Sequence, residues 1–238
     1  MEQNKNNFKI VSDKKARMIL PNAVTLIGVC IGLTSIKFAI DGKFVIAIIA
    51  ILFAGLMDAL DGRIARLIKG TSRMGKELDS LGDVISFGVA PALIMYFWNL
   101  QFLEKLGWFV CLIYVVCVAL RLARFNISSE EEPSWEDNFF QGVPSPAGGI
   151  IVLLPLIFSF SGLEELLFDI NYDLLVPIFF IIVSILLIST IPTYSFKKIV
   201  IPRNMTKFLL FGIVLFFGAL LVYTFKVLAV SSAIYLCL

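Results

Sequence analysis

The sequence contains no histidine, which excludes imidazole acid–base chemistry and histidine-ligated metal centres. Its four cysteines (Cys30, Cys111, Cys117 and Cys237) lie in apolar runs without CxxC or CxxxC spacing. They read as packing residues within a membrane, not as disulfides or metal ligands. Charge is scarce. Only 16% of the 238 residues are Asp, Glu, Lys or Arg, and 59% are apolar, whereas an ordinary soluble domain is about 25% charged. That balance excludes a water-soluble enzyme, a disordered chain and a nucleic-acid binder that relies on a basic surface. No internal repeat is visible, and no Pro/Ser-rich linker divides the chain.

What the sequence has instead is long apolar runs, at 22–40, 43–68, 77–98, 104–125, 145–161, 173–192, 205–225 and 227–238. A helix needs roughly 20 apolar residues to cross a bilayer. The runs are continuous and do not alternate, which favours helices over a β-barrel. The expected fold is an all-α integral membrane bundle of about eight transmembrane helices, the last one short. Residues 1–21 form a polar, basic N-terminal segment, either a surface helix or a partly ordered tail, and 22–238 form one transmembrane domain. No small-residue cleavage site follows the first apolar run, so it reads as a span and not as a cleaved signal peptide. The insertion 127–138 (ISSEEEPSWEDN) reads as a solvated cytoplasmic loop.

Sixteen basic residues fall on one side of this bundle if the spans alternate. Five are in the N-terminal segment and five are Arg63, Arg66, Lys69, Arg73 and Lys76. Arg121 and Arg124 end the fourth span, and Lys197, Lys198, Arg203 and Lys207 follow the sixth. Only Lys37, Lys43, Lys105 and Lys226 fall on the other side, beside the acidic Glu164, Glu165, Asp169 and Asp173. The positive-inside rule makes the first side cytoplasmic. The expected location is the inner, cytoplasmic membrane, crossed several times.

Four aspartates stand at the cytoplasmic ends of the second and third spans. Asp58 and Asp61 are spaced i, i+3, and Asp79 and Asp83 are spaced i, i+4, so each pair shares a helix face. Gly70 and Gly75 in the connection allow the two helices to turn antiparallel and bring the four carboxylates together. Like charges at such range call for cations between them. Oxygen-only ligands favour Mg²⁺ or Mn²⁺, with Ca²⁺ also admissible, and two such ions suit displacement at a phosphate. Gly62 and Ala65 leave the helix surface bare beside Asp61, Gly75 opens the start of the third span, and Arg66 offers a fork for phosphate oxygens. For any single aspartate, a salt bridge to a nearby Arg or Lys is the better explanation.

The pattern as a whole is more specific. Asp58-x2-Asp61-Gly62-x2-Ala65-Arg66-x8-Gly75-x3-Asp79-x3-Asp83 reproduces every fixed position of the CDP-alcohol phosphotransferase motif. At ordinary residue usage, chance agreement is on the order of 10⁻¹⁰ per starting position. The chain is therefore identified as a member of that family. The resemblance implies a six-helix core, usually in a homodimer, with a polar cavity open to the cytoplasm and to lipid. It implies that Asp58, Asp61, Asp79 and Asp83 ligate two divalent cations and that Asp83 is also the general base. It further implies that Gly62, Ala65, Arg66 and Gly75 contact the CDP part of the donor.

Two further stretches, Arg121-Leu122-Ala123-Arg124-Phe125-Asn126 and Phe140-Gln141-Gly142-Val143-Pro144-Ser145-Pro146-Ala147, resemble the phosphatidylserine synthase branch. So does the Pro21-Asn22-x2-Thr25 start of the first span, which adds Thr25 to the donor side. The implied partners are CDP-diacylglycerol, L-serine and membrane lipid. The implied reaction transfers a phosphatidyl group to the serine hydroxyl and releases CMP. Arg121, Arg124, Asn126 and Ser145 are the candidates for the acceptor or for phosphate. The two arginines are also readable as positive-inside anchors. Two alternatives remain at this level: the same chemistry with glycerol 3-phosphate or an inositol phosphate as acceptor, and a carboxylate-based ion or metal transporter.

Overall fold

The computed structural model describes residues 13–68, 70, 72–128, 140–141, 143–162, 172–189, 192–193, 215, 218–219 and 222–237. Residues 129–138 of the expected loop, the acidic loop at 164–169, the four basic residues after the sixth span and most of the 205–225 run lie outside them; Ile127 and Ser128, expected in that loop, instead end a helix. Four of the described helices are long and apolar enough to cross a membrane, at Ile19–Ile40, Phe44–Leu67, Arg73–Trp98 and Lys105–Ile127. The protein is a multi-pass, all-α membrane protein.

Helix α1 (Asp13–Ile40) runs straight through Pro21, so no break marks the expected boundary at residue 21. It ends in a reversal at Gly42, whose φ of +73° suits a residue without Cβ. Gly42 N donates to Ala39 O and Lys43 N to Phe38 O, which satisfies the last carbonyls in the Schellman pattern. The chain then returns antiparallel as α2 (Phe44–Leu67). α2 closes with Gly70 N donating to Ala65 O. α3 (Arg73–Asp83) opens on a Ser72 cap whose Oγ accepts from Gly75 N at 3.0 Å. Gly75 therefore lies inside the first turn of α3, not in the connection.

The third span is a composite. A π-helical segment, Val84–Val89, separates α3 from α4 (Ala90–Trp98). Pro91 has no N–H to give to the carbonyl of Phe87, four residues back. The hydroxyl of Tyr114, on α5 (Lys105–Ser128), donates to that carbonyl at 2.9 Å. The expected fifth span, 145–161, is two helices, α6 (Ser145–Val152) and α7 (Leu154–Ser161), which meet at Leu153 just ahead of Pro155. α8 (Tyr172–Ile188) and α9 (Thr224–Cys237) match the expected sixth and eighth segments. One short strand pairing adds to the expected elements. β1 (Phe140–Gln141) lies antiparallel to β2 (Pro192–Thr193) and joins the approach to α6 with the exit from α8.

The core gathers Phe87, Ile94, Met95, Tyr114, Leu156 and Phe180, all nearly fully buried. The rings of Tyr114 and Phe180 are centred 5.2 Å apart. Large apolar side chains such as Leu33, Phe53, Leu112, Val116 and Leu120 stay exposed on the outer faces of the spans. The surrounding hydrocarbon explains that pattern without a protein partner.

Candidate active site

Asp58 and Asp61 lie in the last three turns of α2, and Asp79 and Asp83 in the second half of α3. The helices come together as the glycine-containing connection predicts. Carboxylate oxygens of Asp58, Asp61 and Asp79 lie within 4.8 Å of one another, an arrangement able to hold a metal ion. Asp83 joins them through a direct contact with Asp58. Asp61 is 4% exposed, and the Thr25 hydroxyl of α1 donates to its Oδ2 at 2.5 Å. That hydrogen bond orients a carboxylate that would otherwise be a costly buried charge.

The four aspartates line a small cavity of about 10 Å³ with Thr25, Gly82 and Ser86 among its walls. Beside it opens a larger cavity of about 520 Å³. Thr25, Gly62, Ala65, Arg66 and Gly75 all line this second space. Asp61 and Asp79 line both and so join the carboxylate cluster to the larger cavity. The donor set is all oxygen, and the oxygens are close enough to share one hard cation, so the residues fit a divalent metal.

The two motif glycines differ in what surrounds them. A Cβ on Gly62 would meet nothing within 4 Å, so the protein leaves that helix face bare towards the cavity. A Cβ on Gly75 would lie 2.9 Å from Asn22 Oδ1 and 3.1 Å from Ser72 Oγ. A methyl at Gly75 would thus crowd the Asn22 side chain of α1 and the Ser72 cap of α3. Arg66 folds back along α2, and its Nε donates to Gly62 O at 3.0 Å.

The residues expected on the acceptor side separate into two groups. Arg121 Nη1 donates to Ser145 Oγ at 2.6 Å, and Asp83 is in contact with Ser145 and feels the Arg121 charge. Arg124 Nη1 instead donates to Ile188 O, at the C-terminal end of α8, at 2.9 Å. Asn126 Nδ2 donates to Ser80 Oγ at 2.9 Å, and the Asn126 carbonyl accepts from Lys76 Nζ at 3.4 Å. These last contacts tie the C-terminal end of α5 to α3.

The larger cavity also takes in Pro21, Asn22, Gly70, Ser72, Arg73 and Lys76, none of which the motif itself places in a site. A signal existed for some of them. Pro21 and Asn22 belong to the branch-like start of the first span, and Ser72 stands where a helix N-cap is expected.

A family model described as CDP-alcohol phosphatidyltransferase matches residues 18–190. A protein of Mycobacterium bovis named CDP-diacylglycerol--serine O-phosphatidyltransferase is 36% identical over 228 residues, which cover 92% of this chain and 76% of the relative. A Helicobacter pylori protein of the same name is 34% identical over 220 residues, covering 92% and 88%. An archaetidylserine synthase of Methanothermobacter thermautotrophicus is 34% identical over 189 residues, covering 76% and 73%.

Proposed function

The chain belongs to the CDP-alcohol phosphatidyltransferase family, and from that membership we propose that it transfers the phosphatidyl group of CDP-diacylglycerol to L-serine. The products are phosphatidylserine and CMP. The names of the bacterial relatives and of the archaeal one all carry serine, which supports that acceptor over glycerol 3-phosphate or an inositol phosphate. Family membership likewise removes the ground for a transporter.

One observation carries the reading: the carboxylates of α2 and α3 converge where a 520 Å³ cavity meets the bare face of Gly62. CDP would lie in that cavity against Thr25, Gly62, Ala65, Arg66 and Gly75, with its pyrophosphate towards Asp61 and Asp79. Two divalent cations, Mg²⁺ or Mn²⁺, held by Asp58, Asp61, Asp79 and Asp83, supply charge neutralisation and polarise the phosphate oxygens when bound. Asp83 takes the proton of the serine hydroxyl. The serine oxygen forms a bond to the phosphorus on the diacylglycerol side. The bond from that phosphorus to the CMP oxygen breaks, and CMP leaves with the electron pair. Arg121, the guanidinium next to Asp83, faces the serine carboxylate. Arg124 and Asn126 brace the same end of α5 against α8 and α3.

The basic side of the bundle faces the cytoplasm, so the site opens to cytosolic serine at the inner membrane, and the protein works as a homodimer. Purified protein offered serine, glycerol 3-phosphate and inositol phosphate in competition tests the acceptor. Phosphatidylserine is the expected product, and preferential use of either phosphorylated acceptor would overturn the assignment.

A further inference from the structure

Ser145 is the first residue of α6 and is only 2% exposed. Its hydroxyl lies between two groups of fixed hydrogen-bonding character. A guanidinium only donates, and an ionised carboxylate only accepts. Arg121 Nη1 stands 2.6 Å away on one side, and the Asp83 carboxylate is in contact on the other. The direction of the chain follows: Arg121 donates to Ser145, and Ser145 donates to Asp83.

The backbone around Ser145 is built to hold it there. Pro144 enters the helix extended, with φ −57° and ψ 144°, and fixes where α6 begins. One turn on, α6 presses against the segment that follows Asp83. A Cβ on Gly149 would lie 3.0 Å from Phe87 Cβ, and one on Gly148 would lie 2.7 Å from Leu187 Cδ2. These close approaches set α6 against both the π-helical segment and α8. Residues three and four apart share a helix face, so the contact at Gly148 and Gly149 fixes the height of Ser145 beside Asp83.

We propose that Ser145 is a positioning residue for Asp83: its hydroxyl, itself held by Arg121, fixes the rotation of that carboxylate and does not touch the acceptor. The proposal rests on the reading of Asp83 as the base. It gives Arg121 two tasks, one towards the serine carboxylate and one through Ser145 towards the base.

Ser145→Ala removes the bridge without adding volume, and alanine suits a first helical turn. Removing a group that orients an active-site ligand costs about 10–100-fold in activity, and here the loss should appear in kcat. KM for serine and KM for CDP-diacylglycerol should each move less than about threefold, because the lost hydroxyl touches neither substrate. The melting temperature in detergent reports that the fold is intact, and Ser145→Thr, which keeps the hydroxyl, should recover most of the lost turnover. In an Asp83→Asn background the alanine change should cost nothing further, since groups acting through one another are not additive. A raised KM for serine with kcat unchanged, failure of Ser145→Thr to recover turnover, or losses that add in the double variant would each overturn the proposal. Failure of the underlying reading looks different, because Asp83→Asn alone would then keep near-normal kcat.

Discussion

Tyr114 and Phe87 are joined by a hydrogen bond from the buried Tyr114 hydroxyl to the Phe87 carbonyl at 2.9 Å, across 27 residues of sequence. The carbonyl lies in the π-helical segment that begins directly after Asp83, and the residue four positions on is Pro91. An opening that proline creates in the third span is thus closed from the fourth. π-Helical turns of this kind occur often beside functional sites. Here the turn joins the half of the third span that carries Asp79 and Asp83 to its apolar half, Ala90–Trp98.

Tyr114→Phe should therefore destabilise the protein although it removes a single oxygen. A buried acceptor left without its partner costs about 1–3 kcal/mol. Thermal unfolding in detergent should show a lower midpoint, with the ring contact to Phe180 preserved. An unchanged midpoint would mean that another group satisfies the Phe87 carbonyl.

The two motif glycines should respond in opposite ways to alanine. Gly62→Ala meets no atom of the protein and removes a glycine from a helix, so stability should hold or rise by about 0.5–1 kcal/mol. The new methyl intrudes on the donor cavity, and KM for CDP-diacylglycerol should rise by about fivefold or more, at the lower end of what overpacking costs. Gly75→Ala must push aside Asn22 and Ser72, so it should lower the melting temperature as well. Equal stability of the two variants would contradict the packing at Gly75.

The aspartates should separate by role. Asp83→Asn keeps the shape and one oxygen but removes the base, whose assistance is typically worth about 10²–10⁴-fold in rate. Turnover should collapse while donor binding largely survives. Asp58→Asn and Asp79→Asn should instead weaken metal binding and, with it, donor binding. A drop of only a few-fold in the Asp83 variant would assign the base elsewhere.

Much of this site is legible in the sequence, for an identifiable reason. Asp58 with Asp61 and Asp79 with Asp83 need only helical periodicity and one tight connection to converge, and both are local properties. The first four spans are equally plain, because each is a single long apolar run. The acceptor side is less legible. Arg121 and Arg124 are spaced i, i+3 and share a face of α5, yet their long side chains reach different helices, α6 and α8. Asn126 offers the same amide to an acceptor or to Ser80, and only the packing of α5 on α3 decides for Ser80. The break at Leu153 within the fifth span has its signal in Pro155, which a run of apolar residues hides. The role of Gly75 in seating Asn22 depends on α1, more than 50 residues away, and no local pattern reports it.

Orientation is open to a direct test by labelling. In a background with the four native cysteines replaced, Thr71→Cys and Val200→Cys should react only with reagent on the cytoplasmic side, and Leu166→Cys only from outside. The sixteen-to-four split of basic residues motivates this expectation. The reverse pattern would place the active site on the wrong face of the membrane.

The central claim is that the aspartate cluster, holding divalent cations, passes a phosphatidyl group from CDP-diacylglycerol to serine. Purified protein in mixed micelles, supplied with CDP-diacylglycerol, radiolabelled serine and Mg²⁺ or Mn²⁺, tests it most directly. Labelled phosphatidylserine should form in equal amount with CMP, stop on chelation and resume when either ion is restored. No labelled lipid under these conditions, or full turnover in excess chelator, would contradict it.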